Sequence, residues 1–268
     1  MCCFSVATPI GLVASLVRAF TPPVHVSSTN IFARMLSPGV QGLAYSMNIN
    51  AKKPVAMILP LPVVPGSGED AVKFISLEKH EHMFTRFHDL FEIMAPLARK
   101  GGPRLSFGIQ RQTLVIHKVG SFIASYVPSR ADFTRLDTRF RMPEVLFDAV
   151  PAYADYGFAV FQLEPGKKTI HPMALSFPTR APDQLFFPTV HVHDGTFKPT
   201  AKFDHSLYYQ TKRCQAPSQH IAPGAFEGDA VGWGPPQERY EGLVEAGDAL
   251  LRRKLRARLP NVDTWIAA

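Results

Sequence analysis

Between residues 40 and 49, VQGLAYSMNI, apolar and polar positions alternate, with Leu43, Tyr45, Met47 and Ile49 on one side. A period of two is that of a half-buried strand. VAMILPLPV (55–63) is almost wholly apolar, as in a strand covered on both faces, until Pro60 and Pro62 end it. The period then changes: in HMFTRFHDLFEIM (82–94), Phe84, Phe87, Phe91 and Met94 form a helical stripe. QTLVIHKVGSFIASYV (112–127) reads as two strands around Gly120. SRADFTRLDTRFR (129–141) reads as a helix with Ser129 as N-cap and Phe133, Leu136 and Phe140 inward. A further short helix is expected in MPEVLFDAVPAYADYG. Strands FAVFQLE (158–164), HPMALSFP (171–178), LFFPTVHVHD (185–194) and FDHSLYYQ (203–210) follow, separated by Pro/Gly turns.

Residues 211–235 are rich in Pro and Gly without a clean period and predict a loop. QERYEGLVEAGDALLRRKLRARL (237–259) predicts the longest helix, with acids in its first half and bases in its last turns, complementing the macrodipole. Without regular βαβ alternation, these elements predict an α+β fold with a mainly antiparallel sheet, short helices and a C-terminal amphipathic helix. The expected organisation is one domain over 1–268, with a core at 30–210, the loop at 211–235 and the helix at 236–259. No repeat at a solenoid period is visible. At 268 residues the chain is long enough to bury a large core.

Composition refines this picture. The 24 prolines argue against long uninterrupted helices over most of the chain. Three cysteines, Cys2, Cys3 and Cys214, form neither a disulfide framework nor a Cys-x-x-Cys pair, which predicts a reduced, cytoplasmic setting. The apolar stretch near 9–20 carries Arg18, lacks a basic start, and is shorter than the ~20 residues that span a bilayer, so no transmembrane segment is expected. Val13, Leu16, Val17 and Phe20 follow helical spacing, as in a short helix on the core or, alternatively, at a membrane surface. Much of the +7 charge sits in LRRKLRARL (251–259), so the C-terminal helix is a candidate docking element for an acidic partner or surface. Aromatics are not interleaved with Arg or Lys on one strand face, which excludes specific nucleic-acid recognition of the RNA-sheet type.

AMILPLPV, YADYGFAVFQLEPG and HPMALSFPTRAPDQLFFPTVHVHDG, with the opening Met-Cys-Cys-Phe-Ser and IFAR at 31–34, resemble a group of uncharacterised bacterial proteins. More remotely, the chain is similar to a bacterial domain-of-unknown-function family with a Leu-Pro-Val-Pro strand end. The resemblance runs over residues 30–210 and implies a fold unit; it implies no activity.

Candidate chemistry centres on LFFPTVHVHDG (185–195). In a strand, residues i and i+2 share a face about 6.7 Å apart. His191 and His193 can thus converge on one divalent ion such as zinc, with His205, Asp194 or His171 completing the set. The same imidazoles can instead move protons near neutrality, with His193 and Asp194 as catalytic groups. The alternative is that Val190 and Val192 face the core while both histidines face water. Cys2 is a second candidate: with the initiator Met removed, its α-amine can activate its own thiol, as in N-terminal nucleophile amidohydrolases. A thiol there can also serve as a third metal ligand. HEH (80–82) has the wrong spacing for a helical metal site and reads as a solvated helix start. Dinucleotide, Walker A and Gly-x-Ser-x-Gly motifs do not occur.

Three functions remain open. One is an enzyme acting on a small molecule or peptide through a histidine-centred, metal-assisted site. Another is an amidohydrolase with Cys2 as nucleophile. The third is a non-catalytic binding or assembly protein.

Overall fold

Alternation makes Val40–Ala51 a strand whose two faces enter different environments. Leu43, Tyr45, Met47 and Ile49 point between two sheets, whereas Ala44 packs with a separate cluster on the outer side. The computed structural model describes residues 2–6, 24–92, 117–119, 122–136, 145–192, 196–212, 229–232 and 234–268. The expected helix near 9–20, most of the 211–235 loop, and Met94 and Phe140 lie outside these residues.

The strands in chain order are β1 (Cys2–Val6), β2 (His25–Ser37), β3 (Val40–Ala51), β4 (Val55–Leu61), β5 (Lys73–Ser76), β6 (His117–Val119), β7 (Phe122–Val127) and β8 (Gly157–Leu163). They continue as β9 (Gly166–Pro178), β10 (Gln184–Phe187), β11 (His191–Val192), β12 (Thr200–Tyr209), β13 (Ala230–Val231), β14 (Leu251–Pro260) and β15 (Thr264–Ala267). One sheet has the order β11-β1-β4-β8-β7-β6 and a second the order β13-β14-β12-β2-β3-β9-β5; β10 pairs with β15.

The two large sheets enclose the principal core. Met57, Leu59, Ala159 and Phe161 meet Ile31, Tyr45, Met173, Leu175, Leu207 and Tyr209 there. Each sheet is also covered outside. The helix Met83–Asp89 lays Phe84 and Phe87 on Phe32, Ala44, Ala174 and Tyr208. On the other sheet, Phe133, Phe147, Tyr153 and Tyr156 cover Ala56, Ile58, Phe158 and Val160. Burial on both faces explains why β4 is an unbroken apolar run. Among the described residues the β1 ladder on β4 ends at Cys3↔Ile58, and Pro60 has β8 alongside at Pro60↔Phe158, so this proline falls where one flank of β4 carries no described ladder.

The α+β expectation is corrected to a mainly β fold. Of the segment 129–141, the described residues 129–136 form a 3-10 helix at Arg130–Arg135 and residues 137–141 lie outside the described residues; the other described helices are short. The sheets are mixed, because β1 with β11 and β12 with β2 run parallel.

The expected C-terminal amphipathic helix at 236–259 is absent. Tyr240 and Glu241 adopt φ of 46° and 56°, and Gly242 and Gly247 adopt 82° and 94°, which no helix tolerates. Residues 251–260 then form β14, paired with β12 over its whole length from Leu251↔Tyr209 to Pro260↔Thr200. Leu, Arg, Lys and Ala favour helix intrinsically, but propensity is a weak prior against ten residues of ladder.

Candidate histidine site between the sheets

β12 alternates, so Phe203, His205, Leu207 and Tyr209 share its interior face; Phe203, Leu207 and Tyr209 are buried and His205 is 1% exposed. β11 belongs to the opposite sheet. Its neighbours Val190 and Val192 are buried in the outer cluster, and the intervening His191 turns the other way, toward β12. His191 Nε2 lies 3.1 Å from His205 Nε2. The ring centroids are 4.6 Å apart, and the Phe203 ring lies 4.6 Å from that of His191. At the Nε2 separation, one imidazole donates N–H to the lone pair of the other, or both lone pairs face a common acceptor of electrons; two Nε2–H groups do not fit face to face.

Backbone clamps hold this geometry. Asn261, 2% exposed, accepts at Oδ1 from the His191 N–H and donates through Nδ2 to the carbonyls of His191 and Lys198. Asp263 Oδ1 accepts from the N–H groups of Thr189 and Val190, and its Oδ2 accepts from the Tyr153 hydroxyl at 2.5 Å. The short β11 therefore owes its placement to side chains of the C-terminal segment as well as to the ladder with β1. That ladder makes Cys2 the register partner of His191 and Cys3 that of Val192.

Among the predicted site residues, His191 and His205 are brought together across the two sheets, and the backbone of Cys2 lies beside His191. His193 and Asp194 fall outside the described residues, as does Cys214. His171 is not part of the group: it lies on β9, three strands from β12, against the Phe122 ring at 4.1 Å. Among the residues whose side chains are described, which leave out those of residues 2–6, no set of three His, Cys, Asp or Glu side chains could hold a metal ion. His191 is half-buried and in contact with His205, so of the exposed-strand alternative only the burial of Val190 and Val192 holds at this position. His80 pairs with Glu238 and Glu241 at 3.7 and 3.2 Å at the protein surface, as a solvated helix start requires. Asn261, Asp263 and Phe203 were not anticipated; single polar residues in LPNVDTW carry no periodic signal. Among the described residues no helix is long and apolar enough to cross a membrane.

No family model matches the chain, and no curated protein matches it. Among solved structures it is similar to that of baculovirus P35, at 14% identity and a TM-score of 0.46, covering 91% of this chain and 97% of that one. A mutated baculovirus P35 after caspase cleavage aligns with the same identity and TM-score over 90% and 99%. The caspase-8/P35 complex aligns at 13% identity and a TM-score of 0.44, over 90% and 96%. Likeness at this level assigns this chain no activity.

Proposed function

We propose that the chain is an enzyme acting on a small molecule or peptide, and that His191 and His205 hold a divalent ion of the zinc class with the Cys2 thiol as third ligand. The observation that supports this reading is the 3.1 Å Nε2–Nε2 separation. Two nitrogens at 2.0–2.1 Å from one tetrahedral ion stand roughly 3.3–3.4 Å apart, so binding needs only a slight opening of the pair. Cys2 is favoured as third ligand because its backbone is the register partner of His191. Three protein ligands leave a fourth position for water or substrate, and an ion so held would polarise a carbonyl and activate its water. The site lies where two sheets meet, so the ligands sit on rigid elements.

A second reading rests on the same register and needs no metal: the Cys2 thiol is a nucleophile, and His191 accepts its proton. His205 then orients His191 through the Nε2 contact.

Elemental analysis of tag-free protein separates the two. Near-stoichiometric zinc-class metal, lost in His191→Ala, His205→Ala and Cys2→Ala, supports the first. His193→Ala and Asp194→Asn ask whether those residues contribute. Metal-free wild type overturns the metal site. In that event a thiol probe should label Cys2 below the usual thiol pKa of about 8.5, and His191→Gln should shift the labelling profile upward. Labelling at the ordinary pH in both proteins removes the nucleophile reading as well.

A further inference from the structure

Strand pairing gathers on one face residues that lie far apart in the sequence. Ser206↔Asn30 joins β12 to β2, and the Asp204 carboxylate, accepting at 2.6 Å from the Ser28 N–H, continues that alignment toward the strand ends. His25↔Asn50 and Asn50↔Lys167 extend it across β3 to β9, and Lys202↔Arg258 extends it to β14. Directly opposed residues share a face, so Arg258, Lys202, His25, Asn50 and Lys167 form one row across five strands. Two residues further along stand Arg256, Asp204, Ser27, Asn48 and Thr169. This is the outer face, because it continues that of Tyr208 on β12 and Ala44 on β3, which the helix Met83–Asp89 covers. The side chains of the two rows are exposed or half-buried.

Charge lies in two margins. On one side Lys254, Arg256 and Arg258 alternate along β14, with Lys202 beside them. On the other side Lys167 stands on β9, with the exposed Lys52, Lys53 and Lys168 at the same end of the sheet. Between them β2 and β3 present His25, Ser27, Asn48 and Asn50, which offer hydrogen-bonding groups and no carboxylate. Among the described residues none of the marginal lysines and arginines has an ion-pair partner. Lys202 and Arg258 are a like-charge cross-strand pair, which costs stability. Burial depresses the Lys254 ammonium pKa, and the charges of Arg252 and Arg256 depress it further. Asp204, the acid of the two rows, is already engaged by Ser28. The sequence stretches 7–23 and 93–116 carry Arg18, Arg99, Lys100, Arg104 and Arg111 and no Asp or Glu.

This layout selects among polyanions. At about 4.8 Å per strand, the margins stand about 14 Å apart from β12 to β9 and about 19 Å apart from β14 to β9. Sheets twist by roughly 20–25° per strand, so a planar bilayer meets only part of such a face. Single-stranded nucleic acid stacks its bases on aromatic rings, and the two rows carry none but the His25 imidazole. In B-form DNA the major groove is about 8.5 Å deep, which a sheet face does not enter, and the minor groove is only about 6 Å wide. Double-stranded RNA has a wide, shallow minor groove with a phosphate backbone on each side and 2′-hydroxyls between them.

We propose that this face binds double-stranded RNA across its minor groove, by shape rather than by sequence. The β14 cations and Lys202 hold the phosphates of one strand, and Lys167 with its neighbouring lysines holds those of the other. Asn48 and Asn50 exchange hydrogen bonds with 2′-hydroxyls in between. The inference is independent of the histidine site, because His205 lies on the opposite face of β12.

Fluorescence anisotropy on the full chain tests it with a labelled, blunt RNA duplex of about 16 base pairs. The comparison probes are an RNA duplex of unrelated sequence, the DNA duplex of the same sequence, one RNA strand alone, and vesicles containing phosphatidylserine. The two RNA duplexes should bind alike and at least tenfold more tightly than the DNA duplex or the single strand, and binding should weaken steeply as salt rises. Lys254→Gln/Arg256→Gln on one margin and Lys167→Gln/Lys168→Gln on the other should each weaken binding at least fivefold with an unchanged melting temperature. Asn50→Ala should narrow the preference for the RNA duplex over the DNA duplex. Lys73→Gln, which removes an exposed cation opposite Ser176 at the far end of β9, should bind as wild type does. Equal binding of the DNA duplex or of the single strand would overturn the proposal. So would binding to the vesicles without binding to either RNA duplex, or margin variants that bind no more weakly than Lys73→Gln.

Discussion

The Asn261 carboxamide bonds both backbone groups of His191, accepting from its N–H at 2.7 Å and donating to its carbonyl at 2.9 Å. One side chain thus substitutes for a stretch of neighbouring strand, where β11 is only two residues long. The same Nδ2 reaches the Lys198 carbonyl at 2.8 Å, tying both flanks of the 193–195 segment to the C-terminal region.

Asn261→Ala therefore leaves three backbone groups without this partner in a partly buried setting. At about 1–3 kcal/mol for a buried group left unsatisfied, and with water reaching some of them, the expected loss is about 3 kcal/mol. Asn261→Asp keeps the acceptor for the His191 N–H but brings an oxygen against two carbonyls, so it should be no better than Ala. Urea denaturation measures both. An Asp variant as stable as wild type contradicts the bonding scheme.

His171 carries a pH dependence of defined sign. Burial against the neighbouring sheet lowers its pKa below the ordinary imidazole value of 6.5, opposed by the hydrogen bond to the Pro172 carbonyl and by Glu78 and Glu81. The unfolded chain then binds the proton more readily than the folded one, so this residue's contribution is present above about pH 6.5 and is lost as pH falls toward the folded pKa. His171→Gln should flatten the decline in unfolding free energy between pH 7.5 and 5.5 relative to wild type. A variant with the same slope would mean that other groups carry it.

Several strands were legible in the chain although the fold class was not, because turn residues punctuate them. The alternation of 40–49 and the apolar run of 55–61 reappear as β3 and β4, and the stripe of Phe84 and Phe87 as one helix. Strand β2 was harder to read. HVSSTNIFARMLS has a polar first half, and a bulge between Ser27 and Asn30, with Ser28 at φ 53°, breaks its period. The C-terminal strand failed for another reason: LRRKLRARL satisfies both a cationic helix end and a two-faced strand, and only the distant pairing with β12 decides between them. His191 and His205 were both candidates, yet their meeting depends on two strands of different sheets, which no spacing along the chain encodes.

Gly157 is required by its neighbour. A Cβ at this position would stand 2.6 Å from Tyr126 Cε2 and closer still to the phenolic oxygen, and Tyr126 is buried. Gly157→Ala should destabilise by about 1–3 kcal/mol, the usual cost of forcing an added methyl into a packed site. Removing the hydroxyl with Tyr126→Phe relieves part of the clash. The double variant should therefore be more stable than Gly157→Ala alone, by a coupling that denaturant titrations of the four proteins resolve. Strict additivity would place the clash elsewhere.

Arg180 joins three chain segments through one planar group. Its Nε donates to the Val63 carbonyl at 2.9 Å, Nη1 to Asp155 Oδ2 at 2.8 Å, and Nη2 to the Asp155 carbonyl at 2.7 Å. The guanidinium lies 5.0 Å from the Tyr156 ring centroid. Lysine keeps the charge but cannot present three donors in a fixed plane or stack in the same way. Arg180→Lys should therefore lose most of what Arg180→Ala loses, on the order of 1–3 kcal/mol for hydrogen bonds involving a charged group. A second readout separates charge from geometry. Burial, with Asp263 and Asp155, raises the Tyr156 phenol to about 12, and the Arg180 charge restrains that rise. Ultraviolet titration should find the phenol still higher in Arg180→Ala and less displaced in Arg180→Lys, even though both variants are destabilised. A phenol unmoved by Arg180→Ala would show that the guanidinium acts on this corner through its hydrogen bonds alone.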